Sequence, residues 1–562
     1  MAGDAPRRVN AVADDYYQAF LQARPLSAFQ GGQAGTALDR LDANSLADVA
    51  AWNRREDSWL ARLLEIQPAD LAGSPERITY AVLRTSLESA VARRVCREEL
   101  WPVVQQGGVQ QLPGRLASIQ PVGTPALRAA ALARLRAFGP FLETEIANLR
   151  EGIRLGFTAP RGIAQLVIAQ LDVLLATPAE RSPVLLLARR DSTPEFRDSL
   201  VAVVARSLHP ALGRYRDYLR VEYLPRARAA TAVSALPRGQ ECYRARILSF
   251  TTLPLDPATV HRTGLEQMEL IERQAAAIAT RLFGTGDMAA VWRRLQEDPA
   301  FRFGSREEVV DTAEAALARA RQALPRWFGR LPRATMVVEP CFPFEEESGC
   351  PNSYSSAAED GSRPGRWRIN TNPRRASRVD LESIAFHEGY PGHHLDRSLA
   401  QERQGSHPVT RIISNSGFSE GWGLYAEDLA HEMGLYSGDL AQLGRLSSAA
   451  FRAARLVVDP GLHALGWSRE RAIEYMLAHT ARSRESVESE VDRYIGYPGQ
   501  ATAYMTGRLE IGRLRAEAER KLGERFDIRT FHDRVLGQGR VPLPVLREEV
   551  EGWIARRGQP AE

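Results

Sequence analysis

Three of the chain's ten histidines fall within eight residues of one another, in the stretch Phe386-His387-Glu388-Gly389-Tyr390-Pro391-Gly392-His393-His394-Leu395, and a proline stands between them. Pro391 has no N–H to offer and its ring crowds the carbonyl of His387, so no regular helix runs through this stretch. Gly389 and Gly392 relax the backbone on either side. Histidines beside a glutamate are what hydrolytic zinc chemistry requires: neutral imidazoles hold the ion, the carboxylate takes a proton from water, and one coordination position stays open. The usual arrangement is H-E-x-x-H on one helix face, but here Pro391 occupies the place of the second histidine. On an ideal helix His393 lies about 240° round from His387, and His394 returns to the right face only about 10.5 Å further along the axis. Both nitrogens must approach one ion to about 2.0–2.1 Å. A two-residue bulge at Tyr390-Pro391 would bring Gly392-His393 to the required position. His387 and His393 are therefore the expected ligands, with His394 as the alternative and Glu388 as general base. The competing reading is a broken helix whose histidines are merely hydrogen-bonded in place.

A third ligand decides between these, and one follows about thirty residues on, in Gly417-Phe418-Ser419-Glu420-Gly421-Trp422-Gly423-Leu424-Tyr425-Ala426-Glu427-Asp428-Leu429. Ser419 is expected to cap a helix with Glu420 in its first turn, where the carboxylate completes a His-His-Glu set. Glu427 and His431 lie four apart on that helix and are candidates for an outer shell that orients a ligand. An ordinary solvated pair is the plainer account of them.

Taken together, HEGYPGHHLD and SEGWGLYAEDLAHEMG resemble the signature of the bacterial DUF885 proteins, relatives of zinc metallopeptidases of the HExxH-plus-glutamate kind. LPRGQECYRARI with Gly239 and Tyr243, RINTNP with Asn370 and Asn372, and RYIGYPGQATAYMTG are similar to further landmarks of that family, so the resemblance covers nearly the whole chain. It implies a largely helical fold, one zinc ion and a hydrolytic, peptidase-like activity.

With 562 residues the chain is too long for one average domain, and two lobes around a cleft are expected. It is 44% hydrophobic and 25% charged, as globular proteins are, and its net charge of +4 is spread through the chain without a basic stripe. No nucleic-acid partner is expected. No apolar run approaches the roughly 18 residues of a membrane span. The four cysteines lack CxxC spacing. Cys341 and Cys350 flank a loop and can bridge, but free thiols are the expectation in a reducing compartment. Met1–Tyr17 shows no apolar signal region, so a cytoplasmic location is expected.

Helical periodicity dominates up to residue 330, including 52–66, a pair over 124–155 divided near Gly139-Pro140, 162–176, 196–223, 306–324, and a helix started by Asp256 and ended by Gly284. Residues 237–250 read as an irregular or extended piece near the cleft. Between 332 and 376 the period changes, with strands expected at 334–339 and 367–370. Asp380 is expected to cap the metal-binding helix, and helices follow over 440–455, 468–480, 486–495 and 500–522. The expected architecture is mainly α, a large two-lobed metallopeptidase-like fold with a small β-hairpin or sheet beside the metal-binding helix. A scaffold lobe takes 1–330 and a catalytic lobe 331–562, the two forming one integrated unit.

In that frame Tyr504 is a candidate donor to the developing oxyanion, with Tyr494 as a second choice. Arg493 is a candidate for binding a substrate carboxylate, and Tyr354 for lining the cleft. The expected function is hydrolysis of a peptide or small-molecule amide at Zn2+. Two rivals are a biosynthetic metalloenzyme acting on a non-peptide substrate and a non-catalytic helical scaffold carrying a relic site. The sequence sets neither the substrate nor the oligomeric state.

Overall fold

A computed structural model describes residues 4–558, apart from 34, 342–345, 347–349, 351, 359–360, 362, 404, 406 and 414. Helices make up most of it and the described strands form a single small sheet. Two compact units divide the chain. The first comprises 1–245, 407–412 and 492–498; the second comprises 246–406, 413–491 and 499–562. The expected boundary at 330 thus falls inside the second unit.

In the first unit, Leu46–Leu64 and Glu76–Arg93 pack on one another and bury Trp52, Trp59, Leu83 and Leu87, while Phe138–Leu155 and Arg161–Ala176 enclose a core rich in Leu, Val and aromatic side chains. Ser45 caps the first of these in a reciprocal capping box with Asp48. Cys96 and Cys242 form a disulfide across 146 residues, and in the second unit Cys341 is bonded to Cys350. All four cysteines are therefore paired, against the expectation of free thiols. Most of the stretch expected to be irregular, 237–250, lies in the helix Gly239–Thr251. Its Tyr243, Ile247 and Phe250 stand at i, i+4 and i+7, the spacing of one helix face.

In the second unit, α1 (Pro257–Phe283) is capped by the side chain of Asp256 and stopped by Gly284 at φ 71°, as its end signals predict. It lies along α6 (Asp439–Ala464), where His261 Nδ1 is 2.8 Å from the carbonyl of Val457. That packing is why 257–327 belongs with the second unit. Between them come α2 (Arg306–Trp327), the sheet, α3 (Leu381–Glu388), α4 (His393–Glu402) and α5 (Ser416–Glu432). After α6 follow α7 (Ala503–Leu522) and α8 (Ile528–Leu536). The sheet is not a hairpin. β1 (Met336–Pro340) runs parallel to β3 (Gly365–Ile369), and a strand missing from the sequence reading, β2 (Ser353–Ser355), pairs antiparallel on the other side of β3. β3 is central and carries the buried Trp367 and Ile369.

Candidate metal centre

The expected bulge is instead a complete break. α3 ends at Glu388, Tyr390-Pro391 is a cis peptide, and a new helix begins at His393. The break is held on both sides. Gly389 N–H still donates to the Ala385 carbonyl at 2.8 Å, and Trp422 of α5 donates its indole N–H to the Pro391 carbonyl at 2.9 Å. At Gly392 the chain folds back so tightly that a Cβ would stand 2.0 Å from the His387 carbonyl oxygen. The result turns the His393 ring to within 4.7 Å of the His387 ring, centroid to centroid.

Helix α5 supplies the carboxylate. Its N-cap is Asn415, whose side chain accepts from the Phe418 N–H, so the helix starts earlier than Ser419 and Glu420 stands in its second turn. One oxygen of Glu420 lies 3.6 Å from Nε2 of His387 and 3.6 Å from Nε2 of His393. One ligand atom from each of the three residues lies within 4.8 Å of the others. Two donors about 2.0–2.1 Å from a tetrahedral ion are roughly 3.4 Å apart, so the spacing fits a metal. The donor set of two imidazoles and a carboxylate fits zinc.

The far side of His387 is equally specified. Its Nδ1 lies 2.8 Å from Glu427, whose other oxygen accepts from Ser383 Oγ. Arg452 approaches Glu427 at 3.5 Å. Nδ1–H therefore donates to Glu427, which leaves Nε2 facing Glu420 and His393. Burial works against charge on Glu427, but Arg452, His387 and Ser383 outweigh it and hold the carboxyl at about 2. Burial likewise opposes charge on His387, and Glu420 with Glu427 overcomes it, raising the ring to about 9. A divalent cation would replace that proton between the same groups. Glu420 is pressed upward by burial and drawn well below the usual carboxylate range by the two histidines. Gly423, one turn past Glu420, makes room for the His387 ring: a Cβ there would lie 2.7 Å from Cε1 and 2.8 Å from Nε2.

His394 takes a different job. Its Nε2–H donates to the Ala334 carbonyl at 3.0 Å, and its Nδ1 accepts from the Tyr354 hydroxyl at 2.7 Å. Burial lowers it to about 4. It joins α4 to the sheet and has no nitrogen left for a ligand role. Asp380 sits at the N-cap of α3 but makes no side-chain cap; it pairs with Arg482 at 3.0 Å.

A cavity of about 440 Å3 opens over the triad, lined by His387, Glu388, His393 and Glu420 together with Tyr354 and Tyr504. The Tyr354 hydroxyl is committed to His394, whereas Tyr504 has Gln500 Nε2 at 3.4 Å and the Arg455 guanidinium 4.4 Å from its ring. Arg493 and Tyr494 belong to the first unit, where the guanidinium lies 4.9 Å from the buried Tyr494 ring. Neither is among the cavity's lining residues. Arginines missing from the sequence reading line it instead: Arg397, Arg452, Arg455 and Arg482. A signal for two of them was present, since SSAAFRAARLVVDP places Arg452 and Arg455 on a helix otherwise small and apolar all round.

Fold and site define a mainly helical protein with a buried His-His-Glu constellation at a helix break, beside a three-stranded mixed sheet. The chain belongs to the DUF885 family, described as bacterial protein of unknown function, whose model matches residues 25–550. A crystal structure described as the "putative lipoprotein" from Colwellia psychrerythraea is similar over 98% of this chain and 99% of its own, at 27% identity and a TM-score of 0.87. Another, described as a "putative lipoprotein of unknown function" from Shewanella oneidensis, is 16% identical over 96% of this chain and 98% of its own. Its TM-score of 0.75 speaks to the fold alone. Among curated proteins none matches.

Proposed function

We propose that the protein is a zinc-dependent hydrolase that cleaves an amide bond in a peptide or peptide-like substrate. The reading is carried by His387 Nε2 and His393 Nε2, each 3.6 Å from the same Glu420 oxygen, with Glu388 lining the same cavity. His387, His393 and Glu420 would hold the zinc, which when bound polarises a carbonyl and acidifies water. Glu388 takes the proton of the attacking water and returns it to the departing nitrogen. Tyr504 donates from its phenol to the carbonyl oxygen as negative charge develops there. Glu427 keeps the His387 ring in the ligating tautomer. The edge strand β2, with Asn352, Ser353 and Tyr354 on the cavity wall, is positioned to pair with an extended substrate backbone.

The expectation of a cytoplasmic location rested on the lack of a visible signal region and of an apolar span, together with free thiols. With Cys96–Cys242 and Cys341–Cys350 bonded, we propose an oxidising compartment as the working environment. The description of the Colwellia psychrerythraea structure as a "putative lipoprotein" agrees with this.

Elemental analysis of protein purified without added metal should find about one zinc per chain, absent from His387→Ala. Glu388→Gln should keep its zinc and lose peptide hydrolysis by at least about 100-fold. Turnover retained in folded, zinc-loaded Glu388→Gln protein would remove Glu388 from the reaction.

A further inference from the structure

Three of the cavity's four arginines form one group. The ring of Phe451 has the guanidinium carbon of Arg455 4.4 Å from its centroid, that of Arg482 at 4.7 Å and that of Arg452 at 5.7 Å. All four residues line the cavity that contains His387, Glu388 and His393. Arg452 and Arg455 stand three residues apart on α6 and are 8% and 6% exposed. A carboxylate lies beside each guanidinium: Glu427 at 3.5 Å from Arg452, Glu490 at 3.0 Å from Arg455 and Asp380 at 3.0 Å from Arg482. Glu427 is shared with His387 and Ser383, so it meets only part of what Arg452 offers. Among the described residues the buried Arg452 Nε has no hydrogen-bond partner. A guanidinium carries five N–H donors in a fixed fork. Four arginines and three glutamates line the cavity, and that balance of charge favours an anionic group of the substrate.

We propose that Arg452, Arg455 and Arg482 form a subsite for the C-terminal carboxylate of the substrate, making the protein an exopeptidase that acts near the free C-terminus of short peptides. The inference rests on the hydrolase reading given above and names its substrate class. Scale supports it. A cavity of about 440 Å3 corresponds to a sphere about 9 Å across, and one residue advances the chain by at most ~3.6 Å. The carboxylate therefore stands one or two residues beyond the cleaved bond. Phe451 offers an apolar wall to the intervening side chain. Arginine suits the role because its fork accepts both oxygens of a carboxylate at once.

The test uses matched peptides, a free acid and its C-terminal amide, with a third peptide that is amidated but carries an aspartate side chain. Binding is measured by calorimetry on the full-length protein before and after chelator treatment, and cleavage by mass spectrometry. The free acid should bind about 10- to 100-fold more tightly than the amide. Arg455→Gln and the more exposed Arg482→Gln, each checked for folding by circular dichroism, should lose that preference. Their cleavage of the free acid should fall through KM, with kcat little changed. Equal binding of acid and amide, or a preference that survives both substitutions, overturns the subsite. Equally tight binding of the aspartyl amide overturns its assignment to the chain terminus. If the acid is preferred but nothing is cleaved, the hydrolase reading fails and the anion subsite stands. If acid and amide are cut alike, the hydrolase stands and the subsite fails.

Discussion

Replacing Gly423 by alanine tests the candidate centre at its most crowded point. The added Cβ would lie 2.7 Å from Cε1, 2.8 Å from Nε2 and 3.0 Å from Nδ1 of His387, where apolar contacts normally settle at about 3.5–4.0 Å. The ring must retreat by roughly 0.7–1 Å. It cannot do so freely, because Nδ1 is tied to Glu427 at 2.8 Å and Glu427 in turn to Ser383 and Arg452. Metal sites tolerate only about ±0.2 Å in ligand distance. Disturbing the orientation of one ligand usually lowers metal affinity by about 10- to 100-fold, and a shift this large should reach the upper end. The helix itself should not suffer, since alanine is favoured over glycine inside a helix by about 1 kcal/mol. A weaker site thus cannot be blamed on a melted α5. Zinc affinity by competition with a chromophoric chelator, beside far-ultraviolet circular dichroism, reads both quantities. A folded Gly423→Ala protein that binds zinc as tightly as the wild type would show that His387 Nε2 is not a ligand.

Two further outcomes are expected away from the ligands. The Cys96–Cys242 bond closes a loop of 146 residues, so in the chain-entropy account its removal as Cys96→Ala/Cys242→Ala should destabilise the first unit by about 5 kcal/mol, read by urea denaturation. An unchanged midpoint would mean that the thiols are not joined. His532 is fully buried, donating from Nδ1 to the Trp327 carbonyl at 2.8 Å and accepting at Nε2 from the Tyr425 hydroxyl at 2.9 Å. Burial lowers it to about 3, against a partial opposing pull from the Trp327 carbonyl. Between that value and the ordinary imidazole value of 6.5 the unfolded chain binds a proton that the folded one refuses. Stability contributed by neutral His532 is therefore complete above pH 6.5 and falls with acidification at up to about 1.4 kcal/mol per pH unit. His532→Gln should flatten that slope in thermal melts between pH 6 and 4, and an unchanged slope would contradict the burial argument.

Much of the architecture was legible from the amino-acid sequence alone. Asp256 and Gly284 bracket α1 because capping is local chemistry, satisfied within a few residues of the chain. Pro391 announces a helix break for the same reason, and a histidine pair, its neighbouring glutamate and a downstream carboxylate can be recognised as a donor set before any fold is known. What the sequence left open depends on neighbours distant along the chain. The choice of His393 over His394 is made by Ala334 and Tyr354, which occupy both nitrogens of His394. The start of α5 at Asn415, the insertion of β2 beside β3, and the pairing of Cys96 with Cys242 are likewise set by packing. Arg482 joins Arg452 and Arg455 only because the fold brings it to Phe451 of α6. Gly423 is the plainest case: in the sequence it is an unfavourable residue inside a helix, and only the His387 ring lying against it explains why no side chain fits there.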